Sequence, residues 1–278
     1  MRSAEPFRQA AAMWDIAVPS RPGLLPGVSM AGFSGRSRPV VDLKVVPYPA
    51  VTVLVDLGDM LIVDEDGGGR QRGSVAFGLM PGGLHGHGQD VECLQVRLSP
   101  VVAHAVLGGS ADLCGTVVAL DDVWGRDAGR IQDRLRAAAS WDERFAIAET
   151  ALARRYEEGR AVDPEVGHAW GEMVTNRGQV RVDGLADEVG WSRKRLWSRF
   201  RSQVGITPKR AAQLVRFDHA VHRLAAGHSA ALVAAETGYV DQSHLHRDVM
   251  AFAGVTPSAV AVAPWLAVDP VAWAAPDY

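Results

Sequence analysis

The sequence predicts an α+β protein in which a β-rich N-terminal domain joins, through a helical connection, an all-helical C-terminal domain. Three observations support this. The first hundred residues hold short apolar runs bounded by glycine and aspartate, helical periodicity takes over after Ser99, and a segment of the last third recurs later in the chain. At 278 residues, 47% hydrophobic and 22% charged, the chain is long enough for one large or two ordinary domains with apolar cores.

The elements follow in order. The N-terminus, "MRSAEPFRQAAAMWDIAVPS", has no continuous apolar stretch and does not read as a signal peptide. "AVTVLVDLG" and "DMLIVDEDGGG" read as strands with a tight hairpin at the glycines, and "GSVAFGLMPGG" and "DVECLQVRLSP" continue the pattern. "SPVVAHAVLGG" opens a helix with Ser-Pro and closes it at paired glycines. Residues 127–139 and 141–158 place apolar side chains at helical spacing, Phe145, Ile147, Ala148, Leu152 and Tyr156 among them. No convincing strand follows as far as Ala261. The boundaries expected are a β-rich domain over 1–110, a helical dimerisation or coupling segment over 111–175, a helical domain over 176–262 and a Pro-rich tail over 263–278. Prolines and Asp269 in that tail argue against a membrane span. Cys93 and Cys114 are the only cysteines and form no CxxC pair, so they read as reduced thiols of a cytoplasmic protein.

Charge is uneven. The chain has net charge −3, yet residues 176–262 hold 12 basic and 7 acidic residues against 17 and 25 elsewhere. Within "WSRKRLWSRFRSQVGITPKR" (191–210), seven Lys or Arg occur with no carboxylate. A charge run alone is usually a solvated helix face. A basic module joined to an acidic one points to a polyanion-binding domain carried by something else.

The basic stretch has a second copy. "LADEVGW" (185–191) matches "VAAETGY" (233–239) at an offset of 48. After one extra turn residue, Leu196, Phe200, Gly205, Ile206, Thr207 and Pro208 match Leu245, Val249, Gly254, Val255, Thr256 and Pro257 at an offset of 49. Each copy is a short helix, a glycine turn and a second helix ended by Gly-apolar-Thr-Pro, which is helix-turn-helix grammar. Helical phase puts Leu196, Phe200, Gln203 and Val204 on one side. Lys194, Trp197, Ser198 and Arg201 fall on the other, with Ser243, His246, Arg247 and Met250 as their counterparts. Such a stripe can enter the roughly 12 Å wide major groove. Pro208 to Ala226 reads as one helix of about 28 Å, near the roughly 34 Å between successive major grooves. Trp191 and Tyr239 sit at matched turn positions and read as packing residues.

These motifs resemble the AraC/XylS family DNA-binding domain over 176–260: "LADEVGWSRKRLWSRFRSQVGITPKRAAQLVRFDHAVHRL", then Gly-Tyr, Asp-Gln-Ser-His-Leu, the arginine at 247 and Gly-Val-Thr-Pro in order. "ECLQVRLSPVVAHAVLG" and "WDERFAIAETALARRY" are more loosely similar to the sensor half of actinobacterial-type members. The resemblance implies a transcription regulator with a ligand-sensing or dimerising N-terminal domain. Its implied partners are double-stranded DNA, a small-molecule effector, RNA polymerase and a second copy as homodimer. It implies DNA contacts at Arg193, Lys194, Trp197, Ser198, Arg201, Ser243, His244, His246 and Arg247, and neither catalytic residue, metal nor cofactor. Ser198 and Met250 stand where arginine is frequent, which shifts base reading toward Lys194, Trp197, Arg201 and Arg247.

Two other readings stay open. His85-x-His87 with Glu92 resembles the first metal motif of cupins, which would make the N-terminal half a metalloenzyme fused to a DNA-binding domain. The preceding glycine is displaced and no second-motif histidine follows, so "HGHGQDVE" reads as a flexible polar loop. "DEDGGG" is too short for a calcium loop, and His104 and His168 read as structural. The remaining alternative is a ligand-independent DNA-binding regulator. Trp14, Phe33, Tyr48 and Phe77 are candidates for either a pocket lining or plain core.

Overall fold

Period-two alternation builds the N-terminal half, and it does so in two antiparallel sheets. The computed structural model describes residues 14–21, 23–35, 41–64, 69–79, 84–88, 91–109 and 111–273. The first sheet runs β1 (Trp14–Ala17), β2 (Val28–Gly35), β9 (Glu92–Leu98), β4 (Val51–Asp56), β7 (Val75–Phe77), β10 (Val117–Ala119). The second runs β3 (Val41–Val45), β8 (Leu84–Gly88), β5 (Met60–Asp64), β6 (Arg70–Arg72). Along β9, Cys93, Gln95 and Arg97 face a cavity between the sheets, whereas Leu94, Val96 and Leu98 join the core beneath the helices. Successive strand residues point to opposite faces, so one strand supplies both a pocket wall and a core wall.

The segment "HGHGQDVE" corrects the sequence reading. It is no loop over its first residues: β8 is an inner strand, with Lys44 opposite His85 on one side and Val63 opposite His85 on the other. Leu84 is buried and Gly86 lines the cavity, while His85 and His87 share the other face with rings stacked 6.0 Å apart. A strand whose inward residues are one leucine and two glycines shows no hydrophobic alternation, which is why it was illegible.

Helices then cover the outer face of the first sheet. Ser99 caps α1 (Pro100–Val106) by accepting from the Val102 amide at 3.3 Å. After a 3-10 turn (Ala111–Leu113) and β10 come α2 (Leu120–Trp124), α3 (Arg126–Ala137) and α4 (Trp141–Glu158). The span 111–175 thus contributes a strand as well as helices. Met30, Val51, Val53, Leu94 and Val96 from the sheet meet Ile131, Leu135, Phe145, Ala148 and Leu152 from α3 and α4 in one core.

The C-terminal half is helical throughout: α5 (Pro164–Thr175), α6 (Val182–Glu188), α7 (Arg193–Val204), α8 (Pro208–Ala225), α9 (Ala230–Glu236), α10 (Gln242–Ala253), α11 (Pro257–Val260) and α12 (Pro264–Ala272). The two copies coincide element for element. Side-chain caps start matched helices, Ser192 for α7 and Asp241 for α10, then Thr207 for α8 and Thr256 for α11. Gly205 and Gly254 end α7 and α10 in the left-handed region, at φ 94° and 66°, where an L side chain costs about 1–2 kcal/mol.

Leu196, Phe200, Gln203 and Val204 are all buried, as their phase requires, and Phe200 is fully enclosed. Phe200→Ala should cost about 3–5 kcal/mol by lost transfer energy and cavity formation. Arg201→Ala, on the exposed face, should leave thermal unfolding nearly unchanged, and comparing the two melting curves checks the assignment.

Candidate nucleic-acid interface

Two exposed helix faces carry the residues singled out by phase. On α7, Arg193, Lys194, Trp197, Ser198 and Arg201 are exposed, Trp197 by 45%, with the Arg201 guanidinium 5.3 Å from its ring centre. On α10, Ser243, His246, Arg247 and Met250 are exposed. Arg247 Nε donates to the Ser243 carbonyl at 3.4 Å, which lays its stem along the helix. His244 sits differently: its ring meets Tyr239 edge-on at 5.1 Å and its Nδ1 accepts from the Val240 amide, so it packs into the turn. Val240, the extra residue of the second turn, is 87% exposed.

Much of the basic stretch is spent on architecture, which the sequence alone did not show. Arg199 grips Asp163 at the start of α5 with two bonds, Nε–Oδ2 at 2.6 Å and Nη–Oδ1 at 2.8 Å. Those bonds hold the Asp163 carboxyl down to about 2. Gln203 Oε1 accepts from the Asp163 amide at 2.8 Å, and His104 of α1 meets the Gln203 carbonyl at 3.1 Å. Arg195 lies 4.3 Å from the Trp191 ring and Arg210 3.7 Å from Phe252. Arg193 pairs with Asp183 at 3.2 Å across an exposed surface, a bridge weak enough for a phosphate to replace. Trp191 and Tyr239 are buried at the two turns.

Between the readers runs α8, whose 18 residues span about 27 Å. Phe217 of α8 stacks on Phe252 of α10 at 4.8 Å, and both are enclosed. This fixes the second unit on the shaft joining it to the first.

A cavity of about 130 Å³ lies between the sheets, and Trp14, Phe33, Tyr48 and Phe77 all line it. Met60, Ile62 and Leu84 line it from the second sheet, and a further wall comes from the other end of the chain: Pro264, Val268, Asp269 and Trp273. Cys93 also lines it, but burial pushes its thiol up to about 12, so it packs as a neutral group. At the polar end, Arg97 of β9 bonds Asp269 of α12 at 3.0 Å, and Asp269 bonds His222 of α8 at 3.0 Å. Burial opposes a charged His222, yet Asp218 and Asp269 outweigh it and raise the imidazole to about 9. Burial likewise works against ionised Asp269, but Arg97 and His222 hold its carboxyl below the usual range. Burial raises Asp218.

His85, His87 and Glu92 are not brought together as a ligand set. Glu92 bonds Arg144 at 2.6 Å from the other sheet, and among the described residues no group of three metal-binding side chains forms. Among those residues no helix is long and apolar enough to cross a membrane.

Residues 185–261 match the family model described as a helix-turn-helix domain. No curated protein matches the chain. Similar solved structures include ToxT from Vibrio cholerae bound to (E)-4-(8-methylnaphthalen-1-yl)but-3-enoic acid, 10% identical, TM-score 0.48, covering 87% of this chain and 99% of that one. The C-terminal domain of AraT, a response regulator from Geobacillus stearothermophilus, is 17% identical with TM-score 0.34, covering 36% and 85%. The AraC-like transcriptional activator CuxR is 13% identical with TM-score 0.34, covering 73% and 85%. The paired units and the domain match define a DNA-binding transcription regulator. More particularly, residues 185–261 are a helix-turn-helix domain of the AraC type.

The Arg97–Asp269–His222 clasp has a pH signature. A raised histidine stabilises the folded state fully below its unfolded value, about 6.5, and that contribution is lost as pH rises through about 9. Asp269, lowered, contributes above the ordinary carboxylate range and loses its contribution only in acid. Hydrogen exchange of residues 264–273 should therefore be slowest near pH 5–6 after correction for intrinsic rates, with protection falling between about 6.5 and 9. Equal protection across that window would mean that the histidine charge does not hold α12.

Proposed function

We propose that the chain is a one-component regulator in which a cavity of the N-terminal half takes a small, mostly apolar effector and the C-terminal half reads DNA. The observation that carries this reading is the cavity itself. Five aromatic side chains line it, Trp273 among them, and one wall is α12, the helix that follows the DNA-binding units, so its occupancy bears on how the halves meet. In this reading residues 1–110 together with β10 sense, the helices of 111–175 couple, and 176–262 bind DNA in the cytoplasm. The packing of α5 on α7 and α8 supports including α5, from Asp163 onward, in the DNA-binding unit. Cys93 held as a neutral thiol supports binding over chemistry in the cavity.

On DNA, Lys194, Trp197, Ser198 and Arg201 form the first reading face, and Ser243, His246 and Arg247 the second. Arg193 serves as a phosphate contact once released from Asp183. His244, packed in the turn, supports its reader from behind. Arg247 is the one member of its stripe with a permanent charge and a fork of donors, which suits O6 and N7 of guanine and discriminates by roughly 1–3 kcal/mol.

Binding-site selection with wild-type and Arg247→Ala protein tests the second reader. Preference should relax at one or two base pairs in one half of the site, while the half read by Lys194 and Trp197 persists. Uniform weakening with unchanged preference would make Arg247 a backbone clamp.

The effector reading is tested by Ile62→Phe, which fills the cavity. Compounds that shift the melting temperature of the wild-type chain should lose affinity by about tenfold or more, with DNA affinity in their absence unchanged. Hits that bind the variant equally well would place the effector elsewhere.

A further inference from the structure

Both halves of the chain build the polar end of the cavity. The Arg97 guanidinium lies against two rings, 4.0 Å from Tyr48 on the sheet side and 4.1 Å from Trp273 at the end of α12. Asp269 reaches it with Oδ1 only, because Oδ2 accepts from His222 Nε2. Arg97 Nε is buried with no hydrogen-bond partner among the described residues, as is Trp273 Nε1. A guanidinium can give a carboxylate two parallel bonds. The cavity therefore holds an anion position that the chain's own carboxylate fills through a single contact.

We propose that Asp269 is a tethered competitor: the cavity takes small apolar monocarboxylates, which displace Asp269 from Arg97 and loosen α12 from the N-terminal half. This rests on the reading of the cavity as the effector site. The exchange swaps one carboxylate for another, so the charge facing Arg97, His222 and Asp218 is unchanged. A free carboxylate is not tied to His222 and can engage both Nε and Nη of Arg97. Asp218 stays beside His222, at 3.7 Å from its Nδ1, so the histidine is not stranded when Asp269 leaves. The space of about 130 Å³ is close to the roughly 150 Å³ that accommodates a benzene-sized body, and withdrawal of Val268 and Trp273 enlarges it. The same step frees His222 on α8, the helix that spaces the two reading units, so occupancy of the cavity is felt where DNA is read.

Calorimetry on the full chain with hexanoate and cyclohexanecarboxylate, each beside its primary amide, tests this. Asp269→Asn removes the competing charge and should tighten binding of the acids by about tenfold or more, leaving the amides within about threefold. His222→Gln weakens the hold on Asp269 without touching Arg97 and should act in the same direction. Arg97→Gln should abolish the preference for acid over amide. In the wild-type chain, hexanoate should speed hydrogen exchange in 264–273. If the amides bind and the acids gain nothing from Asp269→Asn or His222→Gln, the competitor role falls while the effector cavity stands. If neither acids nor amides bind any of the proteins, both fall.

Discussion

One buried face of α8 governs the C-terminal half. Ala211, Leu214, Val215, Phe217, Val221 and Leu224 are enclosed along it, and α5, α7, α9, α10, α11 and α12 all pack on this helix. The separation of the two recognition helices is therefore not a property of a linker. It is set by how far apart along α8 the residues lie that seat each unit, and a rigid helix converts that interval into a fixed distance at 1.5 Å or so per residue. Polar clamps add direction to the apolar packing: Arg216 of α8 bonds Asp248 of α10 at 3.1 Å and lies 4.4 Å from the Tyr239 ring.

Besides the α12 contacts, the halves of the molecule meet at the inner end of α7. Gly205 lies so close to Cys114 that an added Cβ would come within 2.9 Å of the cysteine Cβ. Arg199 and Gln203 are bound to Asp163 at the base of α5. The recognition helix is thus braced on the side away from its exposed stripe, and Lys194, Trp197 and Arg201 project from a support that includes α1 and the 3-10 turn of the N-terminal half. A pose fixed in this way requires less ordering on encountering a groove than a helix held by its own turn alone.

What was legible in the sequence followed from periodicity. The caps, glycines and buried positions of the two units recur at offsets of 48 and 49, and a period near 3.6 separated Phe200 from Arg201 correctly. Residues 141–158 coincide with α4. The aromatics Trp14, Phe33, Tyr48 and Phe77 were visible as candidates, but their convergence on one cavity depends on sheet register. The strand β8 was hidden because glycine carries no apolar signal. The Arg97–Asp269 pair was hidden because its members lie 172 residues apart, and composition alone does not show where a Pro-rich tail packs. Even the basic run was only partly what it resembled: Arg195, Arg199 and Arg210 are engaged with rings and a carboxylate of the protein itself, so charge counting overstated the groups free for a polyanion.

The two reading faces are unlike one another, Lys194-Trp197-Ser198-Arg201 on one helix and Ser243-His246-Arg247-Met250 on the other, and the second turn is one residue longer at Val240. A symmetric dimer reads a palindrome and cannot tell left from right. A single chain carrying two different readers in tandem imposes an arrow on whatever duplex it spans. If both faces read DNA as proposed, such a protein would face one way along a duplex, with the N-terminal half, packed on the first unit, toward the same end each time.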